Sequence, residues 1–127
     1  MDGLNEVTSE TVEDFPYEFI TDGVSKLDDI DFDWVPFTNW LRFRFDNDGV
    51  IIITNTELGH SIFVNEITGL ILSLCNGKYR IIEILQGIKS KYPDENEVVM
   101  LRDLLGVILD NYKIGNLVLM KPKETQR

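Results

Sequence analysis

The sequence predicts an α+β fold in which a three-stranded antiparallel sheet is followed by three helices. The first observation is a series of short apolar runs, joined by turn signals, between residues 40 and 64. The second is that the spacing of apolar residues becomes helical after Asn65 and remains so to about residue 113. The third is the length of 127 residues, which is typical of one domain.

Three strands are predicted in succession. In the first, the apolar residues from Leu41 to Phe45 alternate with two arginines, as in a strand with one face in water. The segment 46–49 is a hairpin signal because asparagine and glycine accept a positive φ. The apolar run 50–53 predicts a second strand, buried on both faces. The run 60–64 predicts a third strand at the sheet edge.

The first two predicted helices have clear boundaries. The first follows Asn65, a favoured N-cap residue, and is stopped by the pair Asn76-Gly77. The second begins near Arg80 and ends before Pro93, because the residue that precedes a proline disfavours helix.

The third predicted helix, from residue 94 or 95 to about Lys113, is unusually apolar. Its hydrophobic arc covers about 200°, which is wider than one core-facing stripe requires. The arc consists of Val98, Met100, Leu101, Leu104, Leu105, Val107, Ile108, Leu109 and Tyr112. Either this helix lies between two other elements, or one flank is open as a groove. The run 117–120 is predicted to be a short closing strand or an apolar tail that covers this flank.

The net charge of −10 is concentrated at the N-terminus. Residues 1–35 hold 11 of the 22 acidic residues and one of the 12 basic residues, so the remaining chain is neutral. We therefore predict an acidic, partly flexible arm at 1–35, a folded domain at 36–122 and a tail at 123–127. The arm either docks through its aromatic residues or is a solvated tail. Neither part supplies the basic surface that nucleic-acid binding requires.

The sequence contains no recognisable catalytic or metal-binding motif. His60 is the only histidine and Cys75 the only cysteine, and Cys75 is predicted to be a small core residue. The acidic run 28–33 lacks the glycine and the terminal glutamate of a calcium-binding loop, so it is predicted to be solvated. No apolar run is long enough to span a membrane, and no secretory signal is present. These features predict a cytoplasmic protein that is not an enzyme and needs no metal or cofactor.

The positive signal in the sequence is for binding. An edge strand with spare backbone groups precedes a helix with surplus apolar surface, and β-augmentation uses this combination. In β-augmentation, a guest peptide adds a strand to the sheet and adjacent pockets select its side chains. The alternative is that the N-terminal arm covers the strand edge and the C-terminal tail covers the helix flank.

The segment 64–93 resembles the PqqD-like proteins, also called RiPP recognition elements. It reads VNEITGLILSLCNGKYRIIEILQGIKSKYP. The residues that match the family pattern are Val64, Asn65-Glu66, Thr68-Gly69, Leu70 to Leu74, Asn76-Gly77, Glu83-Ile84 and Tyr92-Pro93. The resemblance extends over about residues 40–120. The chain departs from the pattern at Arg80, where the family usually has serine or threonine, and in its acidic arm.

The resemblance implies a winged-helix-like domain that binds the leader region of a ribosomally synthesised precursor peptide. The leader would add as a strand and be presented to a separate modifying enzyme of radical-SAM, cyclase or peptidase type. Backbone pairing would come from Ser61, Ile62, Phe63 and Val64. The groove would be walled by Leu101, Leu104, Leu105 and Ile108. The expected state is a monomer or weak dimer, with no nucleic-acid or membrane partner.

Two other functions compete with the adaptor hypothesis. A winged-helix DNA-binding regulator would have a similar fold, but the third helix has only Arg102 and Lys113 as basic residues. A structural subunit would use the surplus apolar surface for dimerisation. We also hypothesise that the segment 14–20 of the arm occupies the groove until a leader displaces it.

Overall fold

The structure is a computed structural model that describes residues 15–123. Residues 1–14 of the predicted arm and 124–127 of the predicted tail lie outside this range. The described elements are β1 (Tyr17–Phe19), a 3-10 helix (Leu27–Asp29), β2 (Val35–Phe37), β3 (Leu41–Phe45), β4 (Ile51–Asn55), β5 (His60–Val64), α1 (Glu66–Leu74), α2 (Ile81–Lys91), α3 (Glu97–Lys113) and β6 (Val118–Pro122).

The predicted three-stranded sheet is present, with the antiparallel order β3-β4-β5, and the three helices follow it. The predicted α+β class, with a three-stranded antiparallel sheet followed by three helices, is thereby confirmed. In the centre of the sheet, Ile53 lies opposite Phe43 on one side and Ile62 on the other. The predicted burial of β4 on both faces is wrong. Ile51 and Ile53 are buried, whereas Ile52 is only half-buried because the outer sheet face is open to solvent.

Local capping fixes the start of α1 and α3. The side-chain oxygen of Asn65 accepts a hydrogen bond of 2.9 Å from the Thr68 amide. Asn96 does the same for the amides of Val98 and Val99, so α3 begins at Glu97 rather than at residue 94 or 95. Both caps satisfy amide groups that have no partner within the helix.

The start of α2 shows how the chain compensates for the missing serine or threonine cap. The Glu83 carboxylate accepts a hydrogen bond of 2.8 Å from the backbone amide of Arg80. The guanidinium of Arg80 in turn lies 3.0 Å from the carboxylate of Asp33. This helix ends at Lys91, two residues before Pro93, as predicted.

A second three-stranded sheet, with the order β1-β6-β2, is not predicted by the sequence. The predicted closing strand is its central member, β6, which pairs antiparallel with both neighbours. Its Leu119 is fully buried in the core. The predicted boundary between residues 35 and 36 falls inside β2, so residues 15–35 belong to the folded part.

The second sheet also determines the position of residues 15–20. Tyr17–Phe19 pairs with β6 and is not in contact with β5 as a strand, so it does not occupy the predicted groove. Asp14 lies outside the described residues. The occupancy hypothesis is therefore wrong for residues 15–20.

The wide apolar arc of α3 is explained mainly by packing on several sides. This helix contacts α1, α2 and the 3-10 helix, and the Tyr112 hydroxyl donates a hydrogen bond of 3.1 Å to the Ile20 carbonyl. Leu104 and Ile108 are both 0% exposed. Within residues 15–123, no helix is both long enough and apolar enough to cross a membrane.

Candidate functional site

The outer edge of β5 is the first component of the candidate site. β5 pairs with β4 on one side and is the last strand of its sheet. Within residues 15–123, no backbone group from another segment forms a hydrogen bond to this outer edge. Antiparallel pairing uses the N–H and C=O groups of alternate residues, so the other residues of β5 direct theirs outward.

The composition of β5 does nothing to protect this edge. The strand reads His-Ser-Ile-Phe-Val, without lysine, arginine, acidic residue or proline. By contrast, edge strands are usually blunted by charge, by proline or by being very short. β1 has only three residues, and β3 carries Arg42 and Arg44.

A cleft of about 370 Å³ lies between α1 and α3, and it begins at Asn65, the residue that directly follows β5. At the first residue of β5, His60 Nε2 donates to Asn116 Oδ1 at 3.1 Å, close to the end of α3. Just after β5, Asn65 lines the cleft together with Val107 and Asp110 of α3. No residue of β5 itself lines the cleft, so the strand edge reaches it only at Asn65.

The cleft has apolar residues at its base and charged residues along α3. Ile67, Ile71 and Val107 provide the apolar surface. The exposed charged residues that line it are Arg102, Asp103 and Asp110. A smaller cavity of about 30 Å³ continues from it and shares Ile67, Ile71 and Asp103. It extends the apolar surface to Val99, Met100 and Tyr92.

The four predicted backbone-pairing residues lie on the free edge strand. Ser61 and Phe63 are exposed on the outer sheet face, whereas Ile62 and Val64 are half-buried on the core side. Phe63 is 74% exposed, which makes it the most exposed of the large apolar residues in the described part. This alternation agrees with the period of two in the sequence.

The predicted groove wall requires a correction. Leu104, Leu105 and Ile108 are buried in the core and are not accessible to a guest peptide, while Leu101 is half-buried. The accessible flank of α3 is formed instead by Arg102, Asp103, Gly106, Val107 and Asp110. Periodicity identified the apolar arc of α3, but only the neighbouring elements determine which part of the arc they cover.

A buried asparagine network holds β5 against the end of α3, and sequence analysis missed it. Asn116 Oδ1 accepts from Asn55 Nδ2 at 2.8 Å as well as from His60 Nε2. Asn116 Nδ2 donates to Asn111 Oδ1 at 2.8 Å, and Asn111 Nδ2 donates to the Val107 carbonyl at 2.8 Å. Because all three asparagines are buried, these bonds fix the position of the start of β5 relative to the end of α3. No local pattern in the sequence indicates such a network.

The described residues offer no evident catalytic or metal centre. Cys75 is buried, its Sγ donates to the Ile71 carbonyl, and burial raises the pKa of the thiol to about 12. No group of three or more potential metal ligands occurs within residues 15–123. The acidic run 28–33 has structural contacts: hydrogen bonds from the Ser25 and Lys26 amides lower the pKa of Asp29.

Comparison of the chain with protein-family models, with curated proteins and with solved structures finds no match. The resemblance to PqqD-like proteins therefore rests on the sequence motif. In the structure, the residues of this motif occupy corners: Asn65 caps α1, Gly77 has a φ of 83° in the turn that follows, and Tyr92 is the C-cap of α2.

Proposed function

We propose that this protein is a non-catalytic adaptor that binds an extended peptide by adding it as a strand to β5. The observation that carries the proposal is the unprotected outer edge of β5, which leads at Asn65 into the cleft between α1 and α3. A guest strand would lie about 4.8 Å from β5 and form main-chain hydrogen bonds to it. A guest that extends past Val64 would reach the cleft, which Ile67 and Val107 line.

The sequence motif supports a more specific guest, the leader region of a ribosomally synthesised precursor peptide. In this proposal, the adaptor presents the leader to a separate modifying enzyme of radical-SAM, cyclase or peptidase type. The separate enzyme would supply the chemistry, since the one cysteine of this domain is buried.

The charge on α3 disfavours the alternative of a DNA-binding regulator. Arg102 and Lys113 are exposed on this helix, but so are Asp103 and Asp110. A helix with this balance does not supply the positive charge that neutralises phosphates.

The second candidate function is a dimerisation module. It is favoured by the same free edge and by the exposed Phe63, since two copies of β5 would satisfy each other's backbone groups. Light scattering over a range of concentrations separates the two functions, because only the dimer has a mass that falls on dilution.

The adaptor proposal is tested by an NMR titration of the ¹⁵N-labelled full chain with the leader half of a precursor peptide encoded nearby. We expect shifts at residues 61–64 and 102–110. A scrambled leader of identical composition is the control. Shifts confined to regions outside β5 and the cleft would overturn the proposal.

Strand addition itself is tested by methylating the backbone nitrogens of the peptide one at a time. A methyl group removes the donor, so affinity should fall at every second position of the bound segment. The intervening positions act as internal controls. A uniform effect along the peptide would rule out strand addition even if the peptide binds.

A further inference from the structure

We infer that the outer face of the sheet β3-β4-β5 binds an acidic segment, and that its occupant is the segment 1–14 of this chain. The inference concerns the face of the sheet and not the outer edge of β5, so it does not depend on strand addition. It rests on the side chains that the strand register brings together on this face and on the charge of the N-terminal segment.

One cross-strand row on the outer face combines a basic group with an apolar surface. Arg44 lies opposite Ile52, and Ile52 lies opposite Phe63. Phe63 is 74% exposed, the Arg44 side chain is 73% exposed, and Ile52 is half-buried between them. This row therefore offers an apolar contact surface with a guanidinium group at one end.

The neighbouring row adds a second guanidinium group. Arg42 lies opposite Thr54, and Thr54 lies opposite Ser61. The two hydroxyl groups are hydrogen-bonded to each other at 2.8 Å, so the polar group of this row that is available to a guest is Arg42. Arg42 and Arg44 are two residues apart on one strand, which places them about 6.8 Å from each other on the same face.

The charge of these arginines is poorly compensated within the described residues. Arg44 lies 3.9 Å from Asp46, beyond hydrogen-bond distance, and no carboxylate of residues 15–123 forms a salt bridge with Arg42. By contrast, Arg80 lies 3.0 Å from Asp33. None of the residues of β3, β4 and β5 is acidic. The face is therefore a positively charged surface on a chain with a net charge of −10.

The segment 1–14 has the complementary chemistry. It contains apolar residues, Leu4, Val7 and Val12, and it has no lysine or arginine. Its five acidic residues are Asp2, Glu6, Glu10, Glu13 and Asp14. Carboxylates interspersed with apolar side chains match a face that pairs guanidinium groups with exposed apolar surface.

Covalent linkage makes a weak contact sufficient. Fourteen residues reach about 46 Å when extended, whereas a domain of this size has a radius of gyration of about 13 Å. A linked segment has an effective concentration on the order of millimolar, so a Kd of about 1 mM occupies the face about half of the time. The bound segment would cover Phe63 and thereby limit non-specific association of this face.

The test is paramagnetic relaxation enhancement in the ¹⁵N-labelled full chain, with a nitroxide attached to the variant Val7→Cys. Cys75 is buried and the pKa of its thiol is raised to about 12, so the nitroxide attaches at residue 7. We expect the amide signals of residues 42–44, 52–54 and 61–63 to lose about half of their intensity or more, relative to the reduced label. The loss should diminish in about 1 M salt, which screens exposed charges.

Exchange of the charges identifies the contact. The variant Arg42→Glu/Arg44→Glu should restore the signals. Adding Glu6→Lys/Glu10→Lys/Glu13→Lys to this variant should bring the signal loss back, because the segment and the face are then oppositely charged again. A purely structural effect of the arginine substitutions would not be reversed in this way.

The control Lys78→Glu/Lys113→Glu makes the same change in net charge at exposed sites outside the three strands and should retain the signal loss. Circular dichroism establishes that each variant is folded. Signal loss that is absent, that is spread evenly over the surface, or that persists in Arg42→Glu/Arg44→Glu would overturn the inference.

A mixture of two chains separates binding within one molecule from binding between molecules. At low concentration, ¹⁵N-labelled chain without nitroxide should show no signal loss when unlabelled chain with nitroxide is added. Loss in this mixture would assign the segment to a second copy and also overturn the inference. All of these results leave strand addition to β5 unaffected, because no guest peptide is present.

Discussion

The outer edges of β2 and β5 differ in how the chain treats their backbone groups. Three backbone hydrogen bonds cover the β2 side: Ile81 N to Trp34 O at 2.9 Å, Gly77 N to Pro36 O at 3.0 Å and Thr38 N to Cys75 O at 2.9 Å. Residues from the C-cap of α1, Cys75, to the first residue of α2, Ile81, donate or accept in each of them. No comparable segment within residues 15–123 covers β5.

The difference does not follow from the length of the strands, since β5 is longer than β2. One polar contact does reach β5, since His60 at its start is bonded to Asn116, which follows α3, but this contact is between side chains and leaves the backbone edge open. The chain covers the edge of β2 and leaves the edge of β5 uncovered. An uncovered, uncharged edge promotes aggregation unless something binds it, so this contrast supports a binding role for β5.

The largest expected effect is at the network that holds β5 beside α3. Replacing Asn116 with alanine removes the acceptor of Asn55 Nδ2 and His60 and the donor to Asn111 Oδ1. Leaving these buried groups unpaired should lower the free energy of unfolding by about 2–4 kcal/mol, measured by urea denaturation.

The same substitution at Asn47, which is exposed in the β3–β4 turn, is the control for Asn116→Ala. It should change stability by less than about 0.5 kcal/mol. Equal effects at the two positions would mean that the network does not hold β5 to the end of α3.

The next effect concerns the covered edge of β2. Gly77 has a φ of 83°, and a Cβ there would lie 2.8 Å from Phe37 Cδ1 in β2. Gly77→Ala should therefore destabilise by about 2–3 kcal/mol, of which about 1–2 kcal/mol comes from the left-handed backbone alone.

Gly49→Ala isolates the backbone contribution to the Gly77 result. Gly49 has a φ of 79°, but nothing lies within 4 Å of its Cβ position. Denaturation of the two variants should give a smaller loss for Gly49→Ala by about 1 kcal/mol. Equal losses of stability in the two variants would show that a Cβ at residue 77 does not clash with Phe37 of β2.

A pH-dependent effect is expected at Cys75, whose carbonyl accepts one of the bonds that cover β2. Burial raises the pKa of its thiol from the ordinary value of 9.0 to about 12. As pH rises, the unfolded chain loses this proton first, so the stabilisation is complete below pH 9 and decreases between pH 9 and about 12. The loss at pH 10 should be about 1.4 kcal/mol.

The Cys75 effect is measured by urea denaturation at pH 8 and pH 10. The variant Cys75→Ala, which cannot ionise, is compared over the same interval because other groups also titrate there. Between pH 8 and pH 10, the free energy of unfolding of Cys75→Ala should fall by about 1.4 kcal/mol less than that of the parent. Parallel curves for the two proteins would mean that the thiol is not protected from ionisation.

The part of the fold that could be predicted is the part with local signals. The alternation within β3 and β5 and the stops at Asn76-Gly77 and Pro93 all lie within a few residues of the elements they define. β1 and β2 gave no such signal, because each is three residues long and pairs with β6, which lies more than 80 residues away in the chain.

Of the candidate site, the sequence predicted only the edge strand β5. The position of β5 at an edge follows from the order of hairpins, but the wall of the cleft depends on which side of α3 its neighbours cover. The sequence could therefore not distinguish Leu104, which is 0% exposed, from Val107, which lines the cleft three residues later. The asparagine network depends in the same way on contacts between Asn55 and Asn116, which are far apart in the chain.

The smallest effect on stability should come from adding a charge to β5. Phe63 is 74% exposed, so Phe63→Lys should change the free energy of unfolding by less than about 0.5 kcal/mol. A lysine on an edge strand opposes pairing with another chain, so the variant should associate less at high concentration, as measured by light scattering. Phe45→Lys is the matched control, because Phe45 is 71% exposed but lies at the end of β3, where Arg42 and Arg44 already protect the edge. A larger reduction at Phe63 would identify β5 as the edge that pairs. Equal reductions would attribute the association to exposed apolar surface in general and remove the distinction between the two edges.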